Sequence, residues 1–320
     1  MPSTVLILGA AGHIGQALSM AFADAGWRVL AQARKPLPDR ISARPGIHEL
    51  RCDALDGAAL ASAAREADVV IHALNPPYTE WDRLALPLMD AAIAAAQVNH
   101  ALLMLPGNVY NFGRELPPVL TPATPERGDT PKARIRIEAE ARMAAATGID
   151  SVVIRAGDFF GGGQGGTWFD LALASKIGAG RFVYPGPTDV EHAWAYLPDL
   201  ARSFVKVADQ RAQLQGHHRF HFAGHAASGD DMRSALEAVA DRALRVAGLP
   251  WWLMRLGAPF VPMWRELLAM RYLWQRPHRL EDAALRELIG SVPNTPLSQA
   301  VAEALVDGGL LAKAAQPIPA

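Results

Sequence analysis

Seven residues near the N-terminus, Gly9-Ala10-Ala11-Gly12-His13-Ile14-Gly15, constrain this chain more than any other part of it. They follow directly on an apolar run, Val5-Leu6-Ile7-Leu8, and they open a stretch with helical periodicity over 12–25. Glycine at such a junction lets the chain turn tightly and lets backbone N–H groups approach a ligand. At the positive end of a helix dipole that ligand is an anion such as a pyrophosphate. A plain strand-to-helix turn also tolerates glycine, so the context decides. An apolar run at 5–8, a helix and a second strand at 28–33 make the βαβ unit that a dinucleotide site requires.

The alternation continues beyond this unit. Apolar runs at 68–73, 101–105 and 151–155 are separated by helical patterns, and strands apolar on both faces imply a parallel sheet covered on each side. The fold class expected is α/β, a Rossmann-type doubly wound parallel sheet with a smaller, mostly helical C-terminal substrate-binding part. Residues 1–160 and about 190–225 are assigned to the sheet domain, which includes a helix at 198–209 and an alternating strand at 218–222. A glycine-rich stretch, Gly161-Gly162-Gly163-Gln164-Gly165-Gly166, opens the part assigned to a substrate cap, about 161–189 and 226–320.

Composition narrows the ligand. The chain has 320 residues, half of them apolar and a fifth charged, and a formal net charge of −1. That balance gives no electrostatic footprint for nucleic acid or an anionic membrane, so a small molecule is the expected partner. A single cysteine, Cys52, and the lack of a basic, cleavable N-terminus point to the cytoplasm. No His, Cys, Asp and Glu grouping has metal-ligand spacing, so no metal is expected. The Trp-rich stretch 251–274 is amphipathic and could meet a partner or a lipid surface. Two prolines and charges of both signs instead favour a lid or packing helix.

An NAD site usually places an acid about 20 residues after the glycines, on the ribose 2′-hydroxyl. Here the second strand ends Ala31-Gln32-Ala33-Arg34-Lys35. A guanidinium there can hold a 2′-phosphate bidentately, so NADP is expected ahead of NAD; the alternative is a solvated basic loop.

The Gly9-x-x-Gly12-x-x-Gly15 spacing resembles the extended short-chain dehydrogenase/reductases, the NAD-dependent epimerase/dehydratase family. Asp53-Ala54, Ile71-His72-Ala73, Val109-Tyr110, the run Arg155 to Gly161 and Trp194-Ala195-Tyr196-Leu197-Pro198-Asp199 fall in the family's order, and the resemblance covers about residues 4–225. It implies cofactor contacts at Gly9, Ala11, Gly12, His13, Ile14, Gly15, Arg34, Asp53, Ala54, Ala73, Leu74, Pro106 and Arg136. It also implies a homodimer, built through the helices around the one that starts near Lys132.

The family's proton-transfer machinery, a Ser or Thr followed by Tyr-x-x-x-Lys, is missing. Alignment puts Pro106 at the serine, Lys132 at the tyrosine and Arg136 at the lysine. The helix that carries them is well specified, with Asp129 or Thr130 to cap it, Pro131 in its first turn and Gly148 at its end. One reading gives Arg136 the nicotinamide ribose and makes Lys132 the group that polarises or protonates a substrate oxygen, its pKa lowered by burial beside a cation. The other makes this a solvated helix face of Arg136–Glu140, Arg134–Glu138 and Glu138–Arg142 pairs. Tyr110 is a further candidate donor, and Tyr78, Asp158, Trp168, His192 and Trp194 are expected to line the substrate pocket. Three functions follow: an NADP(H)-dependent oxidoreductase acting on a small carbonyl or enone-like substrate, a catalytically silent NADP-binding sensor or partner module, and a sugar-nucleotide epimerase or dehydratase.

Overall fold

The computed structural model describes residues 2–163 and 165–310. Gln164 of the glycine-rich stretch and residues 311–320 of the expected cap lie outside them. The first unit is β1 (Thr4–Leu8), α1 (His13–Asp24), β2 (Arg28–Ala33), a short α2 (Asp39–Ser42) and β3 (Ile47–Arg51). The second is α3 (Gly57–Ala64), β4 (Val69–His72), α4 (Trp81–Gln97), β5 (Leu102–Gly107), a two-residue β6 (Val119–Leu120), α5 (Pro131–Ala145) and β7 (Ser151–Arg155). Then come β8 (Asp158–Phe160), β9 (Arg181–Tyr184), β10 (Glu191–Tyr196), α6 (Leu197–Asp209) and β11 (His217–His221).

Seven of these strands form one parallel sheet in the order β11-β7-β5-β4-β1-β2-β3. Period-two alternation divides β1 between the two faces. Val5 and Ile7 join the core under α1 and α6, while Leu6 and Leu8 join the one under α3, α4 and α5. Both faces are covered, which is why the central strands read as unbroken apolar runs. The sheet order reverses between β1 and β4, and the crevice beyond the carboxyl ends of those strands is the switch point where ligands bind in such sheets. Strand β3 escaped the sequence reading because it is an edge strand with only Ile47 buried, and Ile-His-Glu-Leu-Arg has no apolar run.

The remaining chain adds β12 (His225–Ser228), α7 (Gly229–Ala240), β13 (Arg245–Gly248), α8 (Trp251–Gly257), α9 (Pro262–Ala269), β14 (Arg279–Leu280), α10 (Ala283–Ile289) and α11 (Leu297–Asp307). Its strands pair with earlier ones: β12 with β10, β13 with β9 and β14 with β6. An aromatic core of Phe160, Phe182, Tyr184, Trp194 and Trp274 lies between β8–β10 and helices α7 and α11. Helix α10 instead returns to the sheet domain, where Leu285 joins the core under α6.

Candidate functional site

The glycine loop is fixed by contacts that exclude side chains. Gly9 has φ +85°, and a Cβ there would stand 3.0 Å from the Ala73 carbonyl and the Leu74 Cα. A Cβ at Gly15 would stand 2.2 Å from the Gly9 oxygen, so this glycine lets α1 pack against the loop. At Gly12 a Cβ would meet only the Gly9 oxygen, at 3.3 Å, which leaves its outer side open. Gly12 is the N-cap of α1, so the first-turn amides of Ile14 and Gly15 lie ahead of the helix's own hydrogen-bond ladder. Ala11 is exposed at the loop's tip, and Ile14 is buried beneath it. This is a cradle that fits a pyrophosphate.

Beside the cradle, the buried Gln32 ties the loop to the sheet. Its Oε1 accepts from the Gly9 amide at 2.9 Å, and its Nε2 donates to the Cys52 carbonyl at 2.7 Å. Arg34 and Lys35 stand exposed just past the end of β2. The exposed Asp53 turns its carboxylate onto the Leu55 amide at 2.9 Å, and Ala54 is buried behind it. Ala73 and Leu74 continue β4 against Gly9. Pro106 lies within β5, opposite Ile154 of β7, beyond the point where β5 pairs with β4 at Met104, so its missing N–H falls where that ladder has ended.

The region around α5 differs from the solvated-face reading, since Lys132 and Glu140 are buried. Thr130 caps the helix through the Ala133 amide. Lys132 is 4% exposed and its ammonium pairs with the Glu266 carboxylate of α9. It also lies over the Tyr78 ring, 4.6 Å from the centroid. Its ion-pair partner is thus a carboxylate, while it shares the Trp81 ring with Arg136, its Nζ lying 5.5 Å from the centroid. Arg136 stacks on Trp81 at 4.9 Å, and its Nε is shut off from solvent without a partner among the described residues. Of the three expected surface pairs only Glu138–Arg142 forms, at 2.9 Å. Arg134 instead donates to the Gly128 carbonyl, and Glu140 is buried against Arg155 at 2.5 Å.

Two phenols meet between these cations. The Tyr78 and Tyr110 hydroxyls are 2.9 Å apart, and burial pushes both pKa values up, Tyr110 well above its ordinary value. Desolvation lowers the pKa of Arg136, while the phenols and Glu140 oppose that shift. His72, at the end of β4, is driven down to about 3 by burial and then by Arg136, and it is neutral at physiological pH. His72 and Arg136 line a cavity of about 20 Å³, room for roughly one water.

The other expected pocket residues form a second group. His192 Nε2 lies 2.8 Å from the Asp158 carboxylate, and its ring stacks on Trp274 at 4.4 Å. Trp168 meets Trp274 edge-on at 5.2 Å. Trp194 is fully buried, with its indole N–H 3.3 Å from the Ala227 carbonyl, and serves as core. Sequence reasoning missed Glu266, Trp81 and His278. Glu266 had a signal: it is the sole carboxylate among six arginines over 245–279.

Residues 1–107 match the NmrA-like family. Among curated proteins none matches the chain in sequence. Solved structures match it over nearly its whole length. The UDP-glucuronic acid 4-epimerase of Bacillus cereus in complex with NAD is 16% identical, with a TM-score of 0.78 over 97% of this chain and 100% of that one. The UDP-glucose-4-epimerase of Stenotrophomonas maltophila, with bound NAD and formylated UDP-arabinopyranose, is 17% identical, with a TM-score of 0.77 over 98% and 100%. The chain shares the fold of these two epimerase structures. A third such structure, UDP-glucose 4-epimerase from Bifidobacterium longum with NAD+ and UDP, is 17% identical, with a TM-score of 0.75 over 96% and 98%. No helix among the described residues is long and apolar enough to cross a membrane.

Proposed function

We propose that this chain binds NADP(H) in the Gly9–Gly15 cradle and interconverts a small, partly apolar carbonyl compound and its alcohol, with the Tyr78–Tyr110 pair as the proton source. The observation that carries the reading is the 2.9 Å contact of these phenols beside Arg136, beyond the carboxyl ends of β4 and β5. The amides of Ile14 and Gly15 would hold the pyrophosphate, and Arg34 the 2′-phosphate that distinguishes NADP from the NAD of the solved structures. The bound dinucleotide supplies the hydride.

The protein's part is to position the carbonyl and stabilise charge on its oxygen. A phenol with a raised pKa stays protonated, so in the reduction direction it donates a hydrogen bond and then the proton that completes the alcohol. Arg136 stabilises the phenolate left on Tyr78, which regains its proton from solvent through Tyr110. Lys132, held by Glu266, fixes the Tyr78 ring from its face. Epimerisation of sugar nucleotides, the activity named for the neighbours, is not carried over, because positions 132 and 136 hold Lys and Arg.

Titration with NADPH and NADH, read by nicotinamide fluorescence, tests the cofactor reading. NADPH is expected to bind more tightly, and Arg34→Ala should abolish that preference. Binding of neither dinucleotide overturns the proposal. Tight NADPH binding with no turnover across a carbonyl panel would turn the reading towards a silent NADP sensor.

A further inference from the structure

The hairpin of α8 and α9 carries an outer face that the site does not use. Eleven large apolar residues are exposed among those described, and five of them fall within twelve residues: Trp252 (68%), Leu253, Leu256, Phe260 (85%) and Met263. Trp252, Leu253 and Leu256 share one side of α8 by helical spacing, and Phe260 stands at the turn into α9.

This is not a loosely packed core. The hairpin's inner side is anchored at three points: Met254 is buried, the Trp251 indole donates to the Pro185 carbonyl at 2.7 Å, and Glu266 pairs with Lys132. Gly257 lets the Trp264 ring close the hairpin, since a Cβ there would stand 2.2 Å from it. The exposed side chains therefore stand on an element tied to the rest of the chain.

We propose that this hairpin docks on an anionic lipid surface, with Trp252, Leu256 and Phe260 entering the headgroup boundary. Charge selects this occupant. Within the hairpin the charges are Arg255, Arg265 and Glu266, and that one carboxylate is turned inward onto Lys132. The exposed Arg255 lies between Leu253 and Leu256, and the exposed Arg265 follows Met263. An aromatic and leucine face bordered by arginine is the composition of an interfacial amphipathic helix, whose cations meet lipid phosphates while its rings sit at the boundary. A second copy docked about a two-fold axis would bring the same arginines together, and the hairpin itself has no carboxylate besides the inward-turned Glu266 to meet them. The chain's net charge of −1 gives no general attraction to such a surface, so the hairpin alone sets the docked orientation. The docked element is also the roof over Lys132, so docking places that side of the site next to the bilayer.

The test is co-sedimentation of the full chain with vesicles of phosphatidylcholine alone and of phosphatidylcholine with phosphatidylglycerol. Partition onto the anionic vesicles is expected. It should fall at least ~10-fold in a Trp252→Ser/Phe260→Ser variant and become insensitive to phosphatidylglycerol in an Arg255→Ser/Arg265→Ser variant. Because these side chains are exposed, far-UV circular dichroism and Tm should match the parent, so lost partition is not lost fold. Absence of partition, or partition unchanged by the aromatic substitutions, overturns the proposal. So does a dimer in sedimentation equilibrium that the aromatic variant dissociates while no vesicle binds. No outcome depends on the cofactor.

Discussion

Acid should destabilise this protein through its buried neutral histidines, and His278 isolates the effect. It is fully enclosed, with Nδ1 2.9 Å from the Arg276 carbonyl and Nε2 without a partner among the described residues. Burial first, then the adjacent His192, lowers its pKa from 6.5 to about 3. Between those values the unfolded chain binds a proton that the folded one refuses, so stability is retained above pH 6.5 and lost as pH falls towards 3. From pH 7 to pH 5 the loss is about 2 kcal/mol, and any folded-state value well below 5 gives the same figure, because at pH 5 only the unfolded group has titrated. His72, at about 3, and His221, at about 4, are also buried and add about as much each. The three together approach the whole stability of a typical domain, on the order of 5–15 kcal/mol. His278→Asn removes the titration and keeps an N–H near Nδ1. Urea unfolding at pH 7 and pH 5 should show the variant losing about 2 kcal/mol less than the parent between the two, whatever its stability at pH 7. An equal loss in both proteins would refute the reasoning.

Three further outcomes are expected. Gly15→Ala puts a Cβ against the Gly9 carbonyl and the Ala10 Cα, backbone on both counts, so it should cost about 1–3 kcal/mol in urea unfolding and remove dinucleotide binding. Glu140→Gln leaves the fully buried Arg155 with Glu126 as its remaining carboxylate, and a loss of about 3 kcal/mol is expected from thermal unfolding at pH 7. Tyr110→Phe deprives Tyr78 of its hydroxyl partner; once a substrate is found, kcat should fall by about 10²-fold or more with NADPH affinity unchanged, and unaltered kcat would remove Tyr110 from the proton path.

The sequence by itself determined the parallel sheet and the βαβ unit. The features that specify them are local: apolar runs covered on both faces, helical periodicity, and glycines placed where a strand hands over to a helix. The cap of α5 was legible for the same reason, since Thr130 and the Ala133 amide are three residues apart. Edge strand β3 was not, because an element buried on so little of its surface leaves no hydrophobic pattern. Tertiary structure alone decided the partners of the polar side chains. Lys132 meets Glu266, Tyr78 meets Tyr110, and Asp158 meets His192 across long sequence separations. The i,i+4 spacing offered Glu140 to Arg136, but Arg155 at the end of β7 took it, since a fully buried guanidinium must find a carboxylate and Arg136 could rest on Trp81. Spacing along a chain limits which side chains can be neighbours on one element. Which charges are desolvated together, and which apolar faces such as that of α8 are left uncovered, follows only from how the elements pack.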